Sequence, residues 1–396
     1  MHVVIVGAGP AGSSAATFLA QQGASVTLLE RSHFPRDKVC GDGCTPRAVW
    51  MLEALGLGEL VREASAAAPV DALYGASPSG LVLDAEIPKS IFGGRGCVIA
   101  RQVLDQRLVQ RAVQAGATLR EGVRVEGIHR EEQGVAVRCR GGETVRADVV
   151  LGCDGAPSVV RSSLGAPDFP SAHRAVALRV YYENVRLSRP HAFGIFWEKD
   201  LLPGYGWVFP LPGNRANIGV GMRADLLEAQ PYRINELLER FCALPRIAAE
   251  LQGATRVGKP KGHHLPFGSF ASRLVFDRAL LLGDAAGFVN PLTGEGIEFA
   301  LESGRFAAAA VVEADQVGDL GVRGLTGYGR RCRKRFEAVF RLNHRMASFF
   351  SRPRLVDRFF RAATRSEQVR QALAGVLLGE APRLGWRLWA AVAFGR

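Results

Sequence analysis

The chain contains no run of about 18 consecutive apolar residues, so no membrane-spanning helix is expected. It also lacks any Cys-x-x-Cys pair: the seven cysteines, Cys40, Cys44, Cys97, Cys139, Cys153, Cys242 and Cys332, are scattered and odd in number. That spacing argues against a disulfide framework or a zinc site and for a reduced, cytoplasmic protein; no metal site is expected. The opening residues, MHVVIVGAGP, have no basic segment, long apolar segment or cleavage site, so an export signal is not expected. Internal repeats and low-complexity linkers are absent as well. What remains is a 396-residue chain with 47% hydrophobic and 22% charged residues, composed like an ordinary globular protein. Its length allows two or three domains or one large composite domain.

Acidic residues are scarce in the last quarter, whereas arginines crowd it, from Arg330, Arg331, Arg333 and Arg335 through Arg352, Arg354, Arg358, Arg361, Arg365 and Arg370. The formal charge of +12 is therefore uneven. A basic end suits an anionic membrane surface or an anionic substrate better than nucleic acid, and a solvated helical face would look the same.

His2–Val6 is an apolar run too short for a helix and followed at once by glycine, which predicts a buried parallel strand. Residues 12–22 are alanine-rich and predict a helix, and residues 24–30 a second strand, so the first thirty residues form one βαβ unit. Residues 38–47 read as a loop, 46–55 and 102–114 as helices, and 70–98 as strands of a different sheet. Strands are further expected at 123–128, 135–139, 145–151, 175–185, 192–197, 206–220 and 279–282. Helices are expected at 234–241, 295–314, 327–350 and 354–378. Nucleotide-type segments thus occur at the start, near 97–160 and near 279–314, with sheet-like insertions between them. One nucleotide-binding domain interrupted by a second domain explains this order better than two domains in tandem.

Gly7-Ala8-Gly9-Pro10-Ala11-Gly12 is a G-x-G-x-x-G that follows a strand and opens a helix. Its glycines let the backbone approach a pyrophosphate, which amide N–H groups and the positive end of the helix dipole would hold. Glu30 closes the second strand, placed to bond ribose hydroxyls, with Arg31 beside it. Cys153-Asp154-Gly155 is a second strand-end turn, and Gly283-Asp284-Ala285-Ala286-Gly287 a third. Pro291-Leu292-Thr293-Gly294-Glu295-Gly296 then leads into a long helix at Ile297. A lone glycine turn is weak evidence. Several such turns suited to one extended dinucleotide are hard to obtain by chance.

Taken together these motifs resemble the glutathione-reductase-like flavoproteins of the p-hydroxybenzoate hydroxylase type, in which GxGxxG, a DG turn and a GD turn bind FAD. The likeness covers most of residues 1–310. Two segments narrow it: Lys38-Val39-Cys40-Gly41-Asp42-Gly43 looks like the KxCGxG element of the geranylgeranyl reductase family, and Tyr205-Gly206-Trp207-Val208-Phe209-Pro210 like its YxWxFP element. The resemblance implies an α/β fold: a glutathione-reductase-like, FAD-binding Rossmann domain of residues 1–75, 97–165 and 271–318. It is interrupted by an antiparallel-sheet substrate domain of 76–96 and 166–270 and followed by a helical C-terminal region of 319–396. It places Gly7, Gly9, Pro10, Ala11, Gly12, Glu30, Arg31, Cys40, Gly41, Arg101, Val125, Asp154, Gly155, Gly283, Asp284, Gly294, Gly296 and Ile297 along FAD. Arg101 would lie near the ribityl and phosphate region, or simply meet Asp105 one helical turn on. Amides around 294–297 would stabilise negative charge on the reduced flavin.

By the same resemblance Cys40 would sit beside flavin and substrate, and Tyr205 and Trp207, which share a strand face with Phe209, would form an aromatic wall for a prenyl chain. Core packing gives the same alternation, and a buried inert thiol the same cysteine. The implied reaction is hydride transfer from reduced FAD to an isolated double bond of an isoprenoid lipid, quinone or pigment tail. The proton would come from Cys40, a tyrosine such as Tyr205, or water. NAD(P)H or a ferredoxin-like carrier would supply electrons, since no second nucleotide fingerprint is visible. The segment Trp386-Arg387-Leu388-Trp389 through Phe394, with the basic end, would suit peripheral membrane contact. The alternative on the same fold is a flavin monooxygenase or halogenase acting on an aromatic or natural-product substrate, for which Lys89 is the one candidate tunnel lysine.

Overall fold

The computed structural model describes residues 1–380. Its first sheet has six strands in the order Val275–Phe276, Ala279–Leu281, Val149–Gly152, His2–Val6, Ser25–Leu29 and Thr118–Arg120. All neighbours run parallel except the short first pair. Val3, Val4 and Ile5 are wholly buried in one core with residues of helix Pro10–Gln21 and with Val135, Val137 and Ala147 of a three-stranded sheet, which is why these strands read as unbroken apolar runs. Helix Pro10–Gln21 begins with proline at its first turn and packs on the long helix Ile297–Gln316. That contact is close: a Cβ on Gly304 would lie 2.6 Å from the Ala11 carbonyl oxygen, and the Ser14 hydroxyl donates to the Leu301 carbonyl at 2.8 Å.

The second sheet has seven strands in the order Thr255–Pro266, Arg174–Glu183, Arg215–Arg223, Tyr205–Leu211, Ala192–Phe196, Ala72–Ala76 and Val82–Glu86. It is antiparallel apart from the parallel pairing of Ala192–Phe196 with Ala72–Ala76. Ala72–Ala76 belongs to an earlier excursion of the chain and enters the sheet from that side. Two three-stranded sheets complete the architecture: Thr144–Ala147, Val135–Cys139 and Val125–Arg130; and Gly43–Cys44, Gly96–Ile99 and Ala67–Val70.

Several expected elements divide where tertiary contacts demand it. The strand expected at 145–151 is two, because the chain changes sheets at Asp148, whose carboxylate accepts the His2 N–H at 2.6 Å. Residues 206–220 form a hairpin that turns at Gly213 and Asn214, both at positive φ. The helix expected at 327–350 contains a π-helical stretch, Arg333–Glu337, between Val322–Cys332 and Ala338–Phe350. The helix expected at 354–378 breaks at Ser366, which adopts extended backbone and caps Glu367–Leu377 through its hydroxyl. Thr255–Pro266 went unread: it is an edge strand, exposed along much of its length and carrying glycine, proline and lysine, so it lacks apolar alternation. The loop at 38–47 holds the two-residue strand Gly43–Cys44.

Helix Ile234–Cys242 covers one face of the seven-stranded sheet through Leu237, Leu238 and Phe241. The C-terminal helices Pro353–Arg365 and Glu367–Leu377 roof part of the other, burying Val356, Phe360 and Leu373 in one cluster with Leu73, Phe193 and Trp197. No helix among the described residues is long and apolar enough to cross a membrane. The aromatic segment 386–394 lies outside the described residues.

Candidate functional site

A cavity of about 720 Å³ runs between the parallel sheet and the seven-stranded sheet. Of the residues expected along the cofactor or at the reaction centre, Gly7, Gly9, Pro10, Ala11, Glu30, Arg31, Cys40, Gly41, Arg101, Val125, Asp154, Gly155, Tyr205, Trp207, Gly283, Asp284, Gly294, Gly296 and Ile297 line it. Gly12 does not line it. Its place is structural, since a Cβ there would stand 1.9 Å from the Gly7 carbonyl oxygen.

The glycine turn forms one end. Gly7 adopts φ 99°, and a Cβ on it would lie 2.4 Å from the Cys153 carbonyl oxygen, so only glycine fits. A Cβ on Gly9 would instead look toward the Arg36 and Arg101 guanidinium groups, at 3.7 and 4.0 Å. Glu30 accepts the Ala8 and Ser32 N–H groups, each at 3.1 Å, and lies 3.4 Å from Arg36. Arg101 makes two hydrogen bonds to the fully buried Asp105, at 2.7 and 2.8 Å, and Arg36 joins the same carboxylate at 2.9 Å. Arg101 thus both meets Asp105 and lines the cavity. Arg36 was missed because a lone arginine in a loop carries no sequence signal.

The donor set at this end fits a dinucleotide pyrophosphate. At this end Arg36 Nε is buried without a hydrogen-bond partner; elsewhere in the lining Arg179 Nε and His263 Nε2 are as well, the latter a donor or an acceptor according to its tautomer. Orphaned buried donors are costly unless an acceptor meets them. Asp154, by contrast, serves its own turn: it accepts from the Ser158 hydroxyl at 2.6 Å and from the Val159 and Val160 N–H groups. Lys38 stands 3.9 Å from Asp284. Burial draws the ammonium pKa down and Asp284 draws it back. Among the described residues no His/Cys/Asp/Glu cluster is arranged to hold a metal ion.

The Cys40–Gly43 loop crosses the middle of the cavity. A Cβ on Gly41 would touch the Phe209 ring at 3.3 Å and one on Gly43 the Phe193 ring at 3.1 Å, so the bare backbone lies flat on aromatic rings. Asn217 secures it: its amide donates to the Cys40 carbonyl and to the Asp42 carboxylate, both at 2.8 Å, while its oxygen accepts the Trp207 indole N–H at 2.9 Å. Tyr181 donates to Asp42 at 2.8 Å. Burial pushes Asp42 up to about 6 despite these bonds. Burial also raises the Cys40 thiol, with the Arg101 charge opposing. Trp207 therefore belongs to the wall and, through Asn217, to the anchor of the loop. Asn217 falls within the strand range 206–220, but no local pattern marks an asparagine whose partner lies 177 residues away.

Beyond the loop the lining is apolar, with Leu73, Phe193, Ile195, Phe209, Leu292, Leu377 and Leu378. Tyr205, Trp207 and Phe209 do share one face, with ring centroids 6.2 and 6.4 Å apart in succession. The Tyr205 hydroxyl donates to the Thr293 carbonyl, which ties the wall to the loop before the long helix. In that loop Asn290 accepts the Leu292 and Thr293 N–H groups, and Gly294 turns at φ 67°. Burial pushes Glu295 up to about 7. Burial, and then the charge of Glu295, push Glu298 up to about 8. Neither glutamate stood out in the sequence, because only the fold buries them. Lys89 is exposed and lines a separate small pocket with Asp71, Glu86 and Arg189, away from this cavity.

Comparison with known proteins agrees with this geometry. The FAD binding domain family matches residues 1–343. A menaquinone reductase of Mycolicibacterium smegmatis is 37% identical over 314 residues, spanning 77% of this chain and 75% of the relative. A digeranylgeranylglycerophospholipid reductase of Methanopyrus kandleri is 35% identical over 353 residues, spanning 85% and 87%. The structure of a geranylgeranyl bacteriochlorophyll reductase-like protein from Thermoplasma acidophilum superimposes with a TM-score of 0.81 at 22% identity, covering 99% of this chain and 95% of that one, a likeness of fold. Since the family match runs through both large sheets and the cavity between them, the chain belongs to the FAD-binding flavoproteins.

Proposed function

We propose that the protein is an FAD-dependent oxidoreductase that reduces isolated carbon–carbon double bonds in the polyprenyl chain of a lipid, quinone or pigment tail. One observation carries this reading: a single cavity passes from a cationic glycine turn to an apolar aromatic part whose lining includes Leu377 and Leu378. The substrates named for the two curated relatives differ in their head groups, a quinone in one and a glycerophospholipid in the other. A prenyl chain is the part such molecules share, and an apolar pocket with few polar groups suits it.

In this reading the parallel-sheet segments form the cofactor domain and the seven-stranded sheet the substrate domain. The turn at 7–12, Glu30, Arg36 and Arg101 hold the adenosine and pyrophosphate. Asp284 and the helix start at Ile297 hold the flavin end, where the helix dipole favours negative charge. Bound FAD supplies the reducing equivalents. Cys40, Tyr205 and Trp207 position the chain and exclude water, which matters because an isolated alkene has no carbonyl to activate it. NAD(P)H or a ferredoxin-like carrier reduces the cofactor, and a cytoplasmic protein that contacts the membrane peripherally would meet such lipids.

Lys89, the lysine singled out for the halogenase alternative, lies in a separate pocket and does not reach the cavity. The test is to reconstitute the protein with FAD, reduce it, offer menaquinone and geranylgeranyl lipids, and weigh the products. A gain of two hydrogens is expected. A hydroxylated product, or no gain with any polyprenyl substrate, overturns the reading.

A further inference from the structure

We propose that Glu295 donates the proton that completes the reduction, an inference that rests on the prenyl-reductase reading of the same cavity. Glu295 lines the cavity on the turn between Gly294 and Gly296, where the residue is half-buried. Its Oε1 accepts the Glu298 N–H at 2.9 Å, which fixes the carboxyl at the start of the helix. Two residues earlier, the Thr293 carbonyl holds Tyr205, and that phenol feels the charges of both Glu295 and Cys40. The acid therefore stands beside the wall and the loop between which the double bond would lie.

The other acids of the cavity are occupied or unsuited. The Tyr205 hydroxyl is committed to Thr293 and the Tyr181 hydroxyl to Asp42. Asp42 is fully buried and accepts from Arg101 N–H, Tyr181 and Asn217, so it has no open face. Burial pushes His263 down to about 4, which leaves it without a proton to give near neutrality. Lys38, buried 3.9 Å from Asp284, and Cys40 are the remaining rivals. A thiolate left at Cys40 would be buried, and the Arg101 charge near it is already shared with Asp105.

Glu295 is also kept protonated by its surroundings. Burial disfavours its carboxylate more strongly than the Glu298 and Ile297 N–H groups and the Arg101 charge favour it. The groups that face it are the Glu298 and Ile297 N–H groups and Arg101 on helix Arg101–Gln114, which favour the carboxylate, and the Glu298 carboxyl, Tyr205 on its strand and Cys44 from the loop strand, which do not. In the reaction a hydride from the two-electron-reduced flavin forms a C–H bond at one alkene carbon. As the π bond breaks, the Glu295 O–H bond breaks and its proton forms the C–H bond at the other carbon. The carboxylate left behind takes a proton from water before the next turnover.

Glu295→Gln tests this, because the glutamine oxygen still accepts the Glu298 N–H and keeps the helix start. The variant should retain FAD absorbance, FAD affinity and thermal midpoint, keep its KM for a prenyl quinone, and lose kcat by roughly 10²–10⁴-fold. Wild-type kcat should fall as pH rises through about 7, where Glu295 loses its proton, and the variant should lack that limb. Glu295→Asp, which keeps the acid on a shorter arm, should keep the limb at lower kcat. Independently of turnover, infrared difference spectra of the flavin-free protein should show a carboxylic acid C=O band that titrates near pH 7 and is absent in Glu295→Gln. Wild-type kcat and pH profile in Glu295→Gln, or loss of the limb in Cys40→Ala instead, overturn the assignment of the donor alone. Absence of any two-hydrogen gain with wild type overturns the prenyl-reductase reading itself.

Discussion

Asp42 sits at φ 66°, wholly buried, in the one loop that spans the cavity, and three donors converge on its carboxylate. Those bonds fix the backbone of Cys40 and Gly41, but they do not fully offset desolvation, so its pKa stands near 6 in place of 3.8. The sign follows from linkage: the folded state binds the proton more tightly than the unfolded chain, so the benefit is complete below about pH 4 and is lost as pH rises through 6. A shift of about two units corresponds to roughly 3 kcal/mol. Asp42→Asn keeps a residue tolerant of positive φ and removes the titration. Urea unfolding at pH 4 and pH 7 should therefore show wild type losing about 3 kcal/mol relative to the variant; an unchanged difference would mean that Asp42 does not titrate in this range. None of this was readable locally. The sequence showed an aspartate between glycines, while its partners Tyr181 and Asn217 come from two other strands.

At the scale of elements, the strand–turn–helix at the N-terminus was the most legible part of the chain, because its constraints are nearly all local. A buried strand needs an apolar run, the turn needs glycine, and the helix accepts proline at its first position. Gly7→Ala would strain φ and drive a methyl group into the Cys153 carbonyl, shifting the turn that approaches the pyrophosphate. The purified variant is expected to be colourless and to take up no FAD when titrated; yellow protein with wild-type affinity would contradict the role given to this turn. The exposed strand Thr255–Pro266 was invisible for the opposite reason: edge exposure removes the alternation by which a strand is recognised. The break at Ser366 and the sheet change at Asp148 were likewise hidden within segments whose periodicity continues across them.

At the scale of the whole molecule, the cavity exists because two sheets distant in sequence face each other and the C-terminal helices roof the apolar end. Phe360 is fully buried, with its ring 5.5 Å from Trp197, and so fastens that roof to the seven-stranded sheet. Phe360→Ala should cost about 3–5 kcal/mol in urea unfolding. It should also raise KM for a prenyl substrate while leaving FAD affinity unchanged, since the glycine turn lies at the other end. Equal losses at both ends would show that the roof supports the entire cavity. By itself the sequence determined the elements whose signals are local: the βαβ start, the glycine turns that admit a pyrophosphate, and the aromatic alternation at 205–209. Tertiary structure alone decided how the polar side chains in and around the cavity are buried and paired, among them Arg36, Asn217, Asp42 and Glu295. Desolvation and long-range hydrogen bonding, which give those groups their unpaired donors and altered acidity, depend on neighbours brought in from far along the chain.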